Sequence, residues 1–180
     1  MDKRFDAISM NGRMAYIIMC VETFLITNYP NKNWKFVLEK MWKATSTNWD
    51  DFSQDYSSII PDVLFQYDDY DKEEFQSSLS EQEFMMMKEF YDGMTQGMED
   101  DPNDIVNIML NKPFEFCMVY EGTSIGDGQE SIDIIKETES ILIKYHVPLP
   151  DYTKVSFSSI DELNGWGNDF DGRFLSSVLK

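Results

Sequence analysis

Apolar side chains recur three and four positions apart through most of this chain, and that spacing limits its fold more than any other feature. A first set of such residues comprises Met14, Ile17, Ile18, Val21, Phe24 and Leu25. A second set follows the turn around Pro30 and comprises Trp34, Val37, Leu38, Met41 and Trp42. Residues with this spacing share one face of an α-helix. The two sets therefore predict an antiparallel helical hairpin at the start of the chain.

Further helix signals follow in the middle and C-terminal parts of the sequence. Ser80 and Glu83 have the spacing of a capping box, which predicts that a helix begins there. Another helix is predicted to begin near Ile105, and we expect Pro113 to kink or interrupt it because proline has no amide donor. Apolar residues at helical spacing between positions 134 and 142 predict one more amphipathic helix.

Strand patterns are nearly missing from the sequence. Only residues 155–157, with the sequence VSF, have the composition of a short extended piece. A chain of 180 residues suits one hydrophobic core. We therefore predict an all-α fold, a single-domain bundle of about six to eight amphipathic helices. The domain is predicted to span residues 1–180, with the C-terminal segment 151–180 packed on the main bundle.

The formal net charge of −18 at pH 7 restricts the partners of this protein. Such a chain repels the phosphates of nucleic acids and of anionic lipids, because each phosphate contact needs a protein cation. We therefore predict that neither a nucleic acid nor a membrane is its ligand. The sequence begins without a basic segment that leads into an apolar run, so we expect neither export nor membrane insertion, and a cytoplasmic location.

Three residues of types that often carry chemistry have structural interpretations here. Cys20 and Cys117 lie in apolar helical segments without a CxxC motif, which favours buried, reduced thiols over a disulfide or a nucleophile. His146 is the single histidine and follows the last predicted amphipathic helix, where an imidazole can cap helix carbonyls. A zinc site is disfavoured because there is no second histidine and the cysteines are not clustered.

The negative charge is concentrated in the middle third of the chain. Residues 1–47 contain seven Lys or Arg and four Asp or Glu, whereas residues 48–104 contain two and seventeen. Residues 105–180 contain six and twelve. The middle third therefore supplies most of the net charge.

Aromatic residues alternate with carboxylates in two stretches of this middle third, WDDFSQDY at 49–56 and YDDYDKEEF at 67–75. One interpretation is a solvated face with a few rings turned inward. The other is a protein interface, in which rings provide affinity and charges orient the partner. The second interpretation predicts a docking surface for a basic protein.

Clustered carboxylates could also bind a divalent metal or act as an acid and base pair. The clusters DD, DDYDKEE and EDDPND lack the spacing of a calcium loop, and NDFDGR contains only half of one. The sequence has no GxSxG, GxxxxGK[ST] or strand-linked GxGxxG motif. We therefore predict no catalytic residue, no metal ligand and no cofactor.

Three segments resemble a known family. The runs NGRMAYIIMCVETFL and NWKFVLEKMWKATS and the ending GWGNDFDGRFLSSVLK are similar to the all-helical immunity proteins of bacterial polymorphic-toxin and contact-dependent growth inhibition systems. The resemblance implies an antitoxin without enzymatic activity that binds one cognate toxin domain inside the producing cell. Many toxins of these systems are nucleases with basic active faces. The resemblance thus implies a one-to-one complex with an RNase or DNase whose substrate cleft is covered or occluded.

The toxin-binding surface is assigned to the middle third from charge and ring placement alone. The candidate residues are Trp49, Asp50, Asp51, Asp55, Tyr67, Asp68, Asp69, Tyr70, Asp71, Glu73, Glu74, Glu99, Asp100 and Asp101. Two other functions are compatible with the acidic clusters. One is a metal-dependent hydrolase, and the other is a DNA-mimicking regulator of a nucleic-acid-binding protein.

Overall fold

The computed structural model of the protein describes residues 3–98, 101–120, 124–126 and 128–180. Within these ranges the chain forms eight α-helices: α1 (Met10–Asn28), α2 (Lys35–Met41), α3 (Trp49–Ser57), α4 (Pro61–Leu64), α5 (Lys72–Phe75), α6 (Glu81–Tyr91), α7 (Ile105–Tyr120) and α8 (Gln129–Lys144). Short 3₁₀ turns cover Trp42–Thr45, Tyr152–Val155, Leu163–Gly165 and Gly172–Leu175. The described residues contain no strand and one isolated antiparallel bridge, between Ile8 and Ser159. The all-α prediction is confirmed.

Helix α1 is the centre of the bundle. Its apolar spacing predicted one buried face, but residues 10–22 are all buried, so this part of the helix is enclosed on every side. Helices α7 and α8 and the 3₁₀ turn Trp42–Thr45 pack against it. No helix of the described residues, including the 19-residue α1, is both long enough and apolar enough to span a membrane.

Buried Arg13 on α1 connects the N-terminal segment to the start of α8. Its Nε donates to the carbonyl oxygen of Ile8 at 3.0 Å, and its Nη2 donates to the carbonyl oxygen of Phe5 at 2.9 Å. Its Nη1 donates to the carbonyl oxygen of Gly128 at 3.1 Å and to Ser131 Oγ at 2.8 Å. Burial lowers the pKa of this guanidinium. These bonds compensate for the loss of water around a buried cation.

Buried Glu22 and Asn11 on α1 hold the C-terminal segment. The two Glu22 carboxylate oxygens accept hydrogen bonds from Trp42 Nε1 at 2.9 Å and from the backbone amide and Oγ of Ser177 at 2.6 and 2.7 Å. The backbone amide of Asn11 donates to the carbonyl oxygen of Trp166 at 2.9 Å. Polar groups on the central helix therefore fix where the end of the chain packs.

The chain reverses direction after α1, as the predicted hairpin requires. Trp34 Nε1 donates to the carbonyl oxygen of Tyr29 at 3.2 Å across the turn, and Trp42 reaches back to Glu22. Contacts between residues on opposite sides of one turn, such as 29 with 34 and 22 with 42, are expected when two segments run antiparallel. α2 and the following 3₁₀ turn form this returning segment.

We expected Pro113 to kink or interrupt this helix, and the interruption does not occur, because α7 continues through the proline. The proline ring removes one amide donor and crowds the preceding turn. The hydroxyl of buried Tyr56 on α3 donates to the carbonyl oxygen of Leu110 at 2.7 Å, within this turn. The carbonyl that loses its helical amide partner is that of Met109, one position before Leu110, so Tyr56 bonds to the neighbouring carbonyl of the same turn.

α8 ends in a Schellman motif built on His146. The amide of His146 donates to the carbonyl oxygen of Ile143 at 3.1 Å, and the amide of Val147 donates to that of Leu142 at 2.9 Å. His146 has a φ of +56°, a conformation that usually falls to glycine. The residue therefore lies at the helix end as predicted, but backbone amides satisfy the carbonyls.

We expect His146→Gly to stabilise the protein by about 0.5–1 kcal/mol, because glycine adopts a positive φ without steric cost. Urea unfolding followed by circular dichroism measures the change. His146→Ala is the control and is expected to give no gain, since alanine keeps the Cβ atom. A loss of stability in His146→Gly would show that the imidazole itself holds the helix end.

Candidate protein-binding surface

Residues 66–91, here named the acidic lobe, carry eight acidic and two basic residues. The lobe comprises the loop after α4, α5, the connection 76–80 and α6. Five of its carboxylates lie close together in sequence and are exposed, namely those of Asp68, Asp69, Asp71, Glu73 and Glu74. No lysine or arginine of the described ranges forms an ion pair with any of the five.

The rings of the acidic lobe pack beneath these carboxylates. Phe75 and Phe84 are buried, with ring centroids 5.1 Å apart. Half-buried Tyr67 and Tyr70 pack against them, at 5.0 Å from Phe75 and 5.9 Å from Phe84 respectively. The Tyr70 hydroxyl donates to the carbonyl oxygen of Leu79 at 3.0 Å. The alternation of rings and charges in YDDYDKEEF is therefore a division between an inner apolar side and an outer charged side.

Lys88 on α6 is turned toward the backbone of the lobe. Its Nζ donates to the carbonyl oxygen of Tyr67 and, at 3.2 Å, to that of Asp68. The same ammonium group lies 5.3 Å from the ring centroid of Phe84, within cation–π distance. One of the two cations of the lobe thus holds the loop in place and leaves the carboxylates unpaired.

Local capping fixes the two short helices of the lobe. Asp71 Oδ1 accepts hydrogen bonds from the amides of Glu73 at 2.8 Å and Glu74 at 3.3 Å, and so begins α5. Ser80 and Glu83 form the predicted capping box at the start of α6. Hydrogen bonds from the Ser80 backbone and side chain lower the pKa of Glu83. The exposed carboxylates are therefore carried on ordered backbone.

Two of the three rings of the first stretch, WDDFSQDY, do not share a surface with its carboxylates. Phe52 and Tyr56 are buried in the core and stack on each other with centroids 5.0 Å apart. Their interleaving with acids is the amphipathic pattern of α3. Asp50 and Asp51 are exposed on its first turn, where carboxylates complement the helix dipole.

Asp55 differs from the other candidate carboxylates because its charge is paired. Its Oδ1 accepts from buried Lys40 Nζ at 2.5 Å, and its Oδ2 accepts from Lys43 Nζ at 2.8 Å. Lys40 also donates to the carbonyl oxygen of Ser78 at 2.9 Å. Burial opposes ionisation of Asp55, but the hydrogen bonds from Lys40 and Lys43 outweigh it and lower the pKa. The Lys40–Asp55 pair therefore links α2 to α3, and Lys40 extends this link to the acidic lobe through Ser78.

The remaining acidic candidates lie between α6 and α7. Glu99 and Asp100 are outside the described residues. Asp101 Oδ1 accepts from the backbone and side-chain amides of Asn103 at 2.8 and 3.0 Å, which closes a local turn. The structure thus brings Asp68 to Glu74 together on one lobe and gives Asp101 a local role.

Trp49 and Asp50 belong to a second feature, a cleft between the start of α3 and the C-terminal segment. Its volume is about 340 Å³, and Trp166, Asp169 and Tyr120 also line it. The Trp49 and Trp166 rings meet at 75° with centroids 5.3 Å apart. Trp166, Asp169 and Tyr120 were not among the candidate residues, because no local pattern indicates that they meet Trp49.

Two glycines hold Trp166 in this cleft. Gly165 and Gly167 have φ values of +96° and +83°, which disfavour other residues. A Cβ atom at Gly167 would also lie 2.1 Å from Ser9 Oγ. The GWG sequence is thus a local signal for a constrained tryptophan, although it does not indicate what the tryptophan contacts.

The described residues were predicted to hold no metal site and two buried thiols. Among the described residues, no three His, Cys, Asp or Glu side chains are grouped so that they could hold a metal ion. Cys20 and Cys117 are both buried thiols, as predicted. Burial is the main cause that raises the pKa of Cys20.

Comparison of the chain with protein-family models, with characterised proteins and with solved structures finds no match.

We expect Asp55→Asn to lower the free energy of unfolding at pH 7 by about 1–3 kcal/mol, because Lys40 then lies buried beside a neutral amide. The depressed pKa means that Asp55 contributes stability above its unfolded pKa of about 3.9. That contribution disappears as the pH falls through the folded pKa.

In urea unfolding experiments the difference between wild type and Asp55→Asn should therefore stay constant from neutral pH down to about pH 5 and shrink as the pH falls below about 4. Asp68→Asn removes an exposed carboxylate and serves as the control, with an expected change within about 0.5 kcal/mol. An equal loss of stability in both variants, or a penalty independent of pH, would contradict this account of Asp55.

Proposed function

We propose that this protein is an immunity protein that binds and neutralises a basic toxin domain, an RNase or DNase. The observation that carries the proposal is the row of exposed carboxylates from Asp68 to Glu74, which have no ion-pair partner within the described residues. Like charges placed this close repel one another, so the surface gains free energy when a cationic partner covers it.

The order of the acidic lobe supports a role in protein binding. The ring cluster of Tyr67, Tyr70, Phe75 and Phe84 and the inward-turned Lys88 hold the loop before any partner arrives. A preorganised surface loses less conformational entropy on binding than a flexible acidic tail. The carboxylates can therefore add to affinity as well as to the rate of association.

Exposed methionines add apolar contact area to the same lobe. Met85 and Met86 on α6 are 56% and 43% exposed. Methionine is flexible and polarisable, and it adapts to uneven partner surfaces. The combination of carboxylates with adaptable apolar side chains suits a protein partner better than a small ion.

A nuclease is the partner class that this surface fits best. Nucleases bind substrate phosphates with lysine and arginine side chains, and an acidic protein surface can pair with the same cations. The bound inhibitor would then exclude nucleic acid by direct competition or by charge and bulk next to the cleft. The resemblance of the N-terminal and C-terminal segments to all-helical immunity proteins points to the same function.

The partner can be identified by affinity capture with the purified protein from the cells that produce it. We expect a basic toxin domain that forms a one-to-one complex and whose toxicity on expression in bacteria is relieved when this protein is co-expressed. Captured domains that bind but remain toxic in the presence of this protein would contradict the proposal.

With the captured domain in hand, we expect Asp68→Lys combined with Asp69→Lys to slow association about tenfold at low ionic strength. The association rate of the wild type should itself fall steeply as salt is added, because salt screens attraction between exposed charges. Stopped-flow fluorescence measures both effects.

The matched control is Glu130→Lys combined with Asp133→Lys, which reverses two exposed charges on α8. Both double variants change the net charge equally, so a difference between them reports on position. Equal rates for the two double variants would place the interface outside the acidic lobe.

A further inference from the structure

The cleft at the start of α3 has aromatic walls that are fixed in position. The rings of Trp49 and Trp166 meet nearly at right angles, and Tyr120 packs edge-on against Trp166 with centroids 6.2 Å apart. Trp49 Nε1 donates to the carbonyl oxygen of Ala44 at 3.1 Å, which fixes that indole. Two perpendicular indoles form a corner with electron-rich faces, and such faces attract cations.

Negative charge lies at the same cleft, and none of its described lining residues is basic. Asp50 and Asp169 both line it and are exposed. Asp169 Oδ1 accepts from Asn11 Nδ2 at 3.4 Å, which orients the carboxylate from the buried start of α1. The cleft therefore offers two carboxylates and two indoles to a ligand, and the chemistry that complements both is an organic cation.

We infer that this cleft binds a single cationic side chain of a protein partner, with arginine the better fit. A planar guanidinium can stack on an indole face and donate hydrogen bonds from its edge to carboxylates, whereas an ammonium group is a compact, strongly hydrated charge. A volume of about 340 Å³ accommodates such a side chain. The partner that inserts it is the basic toxin domain, and this identification rests on the proposed function.

The cleft and the acidic lobe have separate tasks in this arrangement. The exposed lobe attracts a basic surface over a distance, and that attraction is screened by salt. The cleft desolvates one side chain between rings, which is typical of an interface anchor. The cleft therefore governs the lifetime of the complex more than the rate of encounter.

The test uses the purified full-length chain and the small probe Nα-acetyl-L-arginine amide, without any toxin. The indole Nε1–H signals of the four tryptophans are followed by nuclear magnetic resonance during titration. Buried Trp34 and Trp42 serve as internal references. We expect saturable shifts confined to Trp49 and Trp166, assigned with Trp49→Phe and Trp166→Phe.

Three controls separate the cleft from general attraction to an acidic protein. Nα-acetyl-L-citrulline amide has the same shape without the charge and should leave the signals in place. Asp50→Asn combined with Asp169→Asn should weaken arginine binding about three- to tenfold. Asp68→Asn combined with Asp69→Asn removes the same charge from the acidic lobe. This variant should bind the arginine probe with an affinity within about twofold of the wild type.

The inference is overturned if the signals of Trp49 and Trp166 do not move, if citrulline moves them equally, or if both double variants weaken binding alike. Because the probe is not the toxin, this result is independent of the capture experiment. Arginine binding without toxin capture would support the cation site in the cleft and contradict the proposed partner. Toxin capture without arginine binding would contradict only the inference that the cleft binds a cationic side chain.

Discussion

The burial of residues 10–22 of α1 on every side is the constraint on which the rest of the structure depends. A helix enclosed on every side has no solvent to satisfy its polar groups, so Asn11, Arg13 and Glu22 need partners from other elements. Those partners are supplied by the N-terminal segment, the start of α8, the turn after α2 and the end of the chain. Hydrophobic burial determines that α1 lies in the centre. Its few polar side chains determine which segments surround it and in what register.

The charged surface follows from the same separation of inside and outside at a smaller scale. In the acidic lobe a cluster of rings takes the place of a large core, and each acidic residue is placed on the opposite side of a short segment. Lysines that could have neutralised the field are used for architecture instead. Lys88 bonds to backbone carbonyls, and Lys40 bonds to Asp55 and to Ser78 in the interior. The negative charge of the exposed face thus has two causes. One is the amino-acid composition, and the other is that Lys88 and Lys40 bond to groups away from this face.

Local features of the sequence predicted the elements well, and contacts between distant residues set the limit. The capping box at Ser80 and Glu83 and the apolar spacing of residues 14–25 depend only on neighbours in one helix, so both were readable. Pro113 indicated an interruption that α7 does not have, and its surroundings are not contained in the local sequence, since the proline is buried and Tyr56 of another helix bonds to the preceding turn. Trp49 and Asp50 were candidates from their own stretch. Their meeting with Trp166 and Asp169 depends on how the C-terminal segment packs on α1, which no local pattern contains.

The bonds between Glu22 and Ser177 impose an order on biosynthesis. Glu22 leaves the ribosome early, whereas Ser177 follows 155 positions later. Until that late segment emerges, the Glu22 carboxylate has only part of its final set of hydrogen bonds. Burial of α1 in the core is therefore less favourable at that stage. Polypeptide fragments released before this point would expose apolar surface to chaperones and proteases. A chain that ends before Ser177 would leave the buried Glu22 carboxylate with Trp42 as its one remaining partner among these bonds.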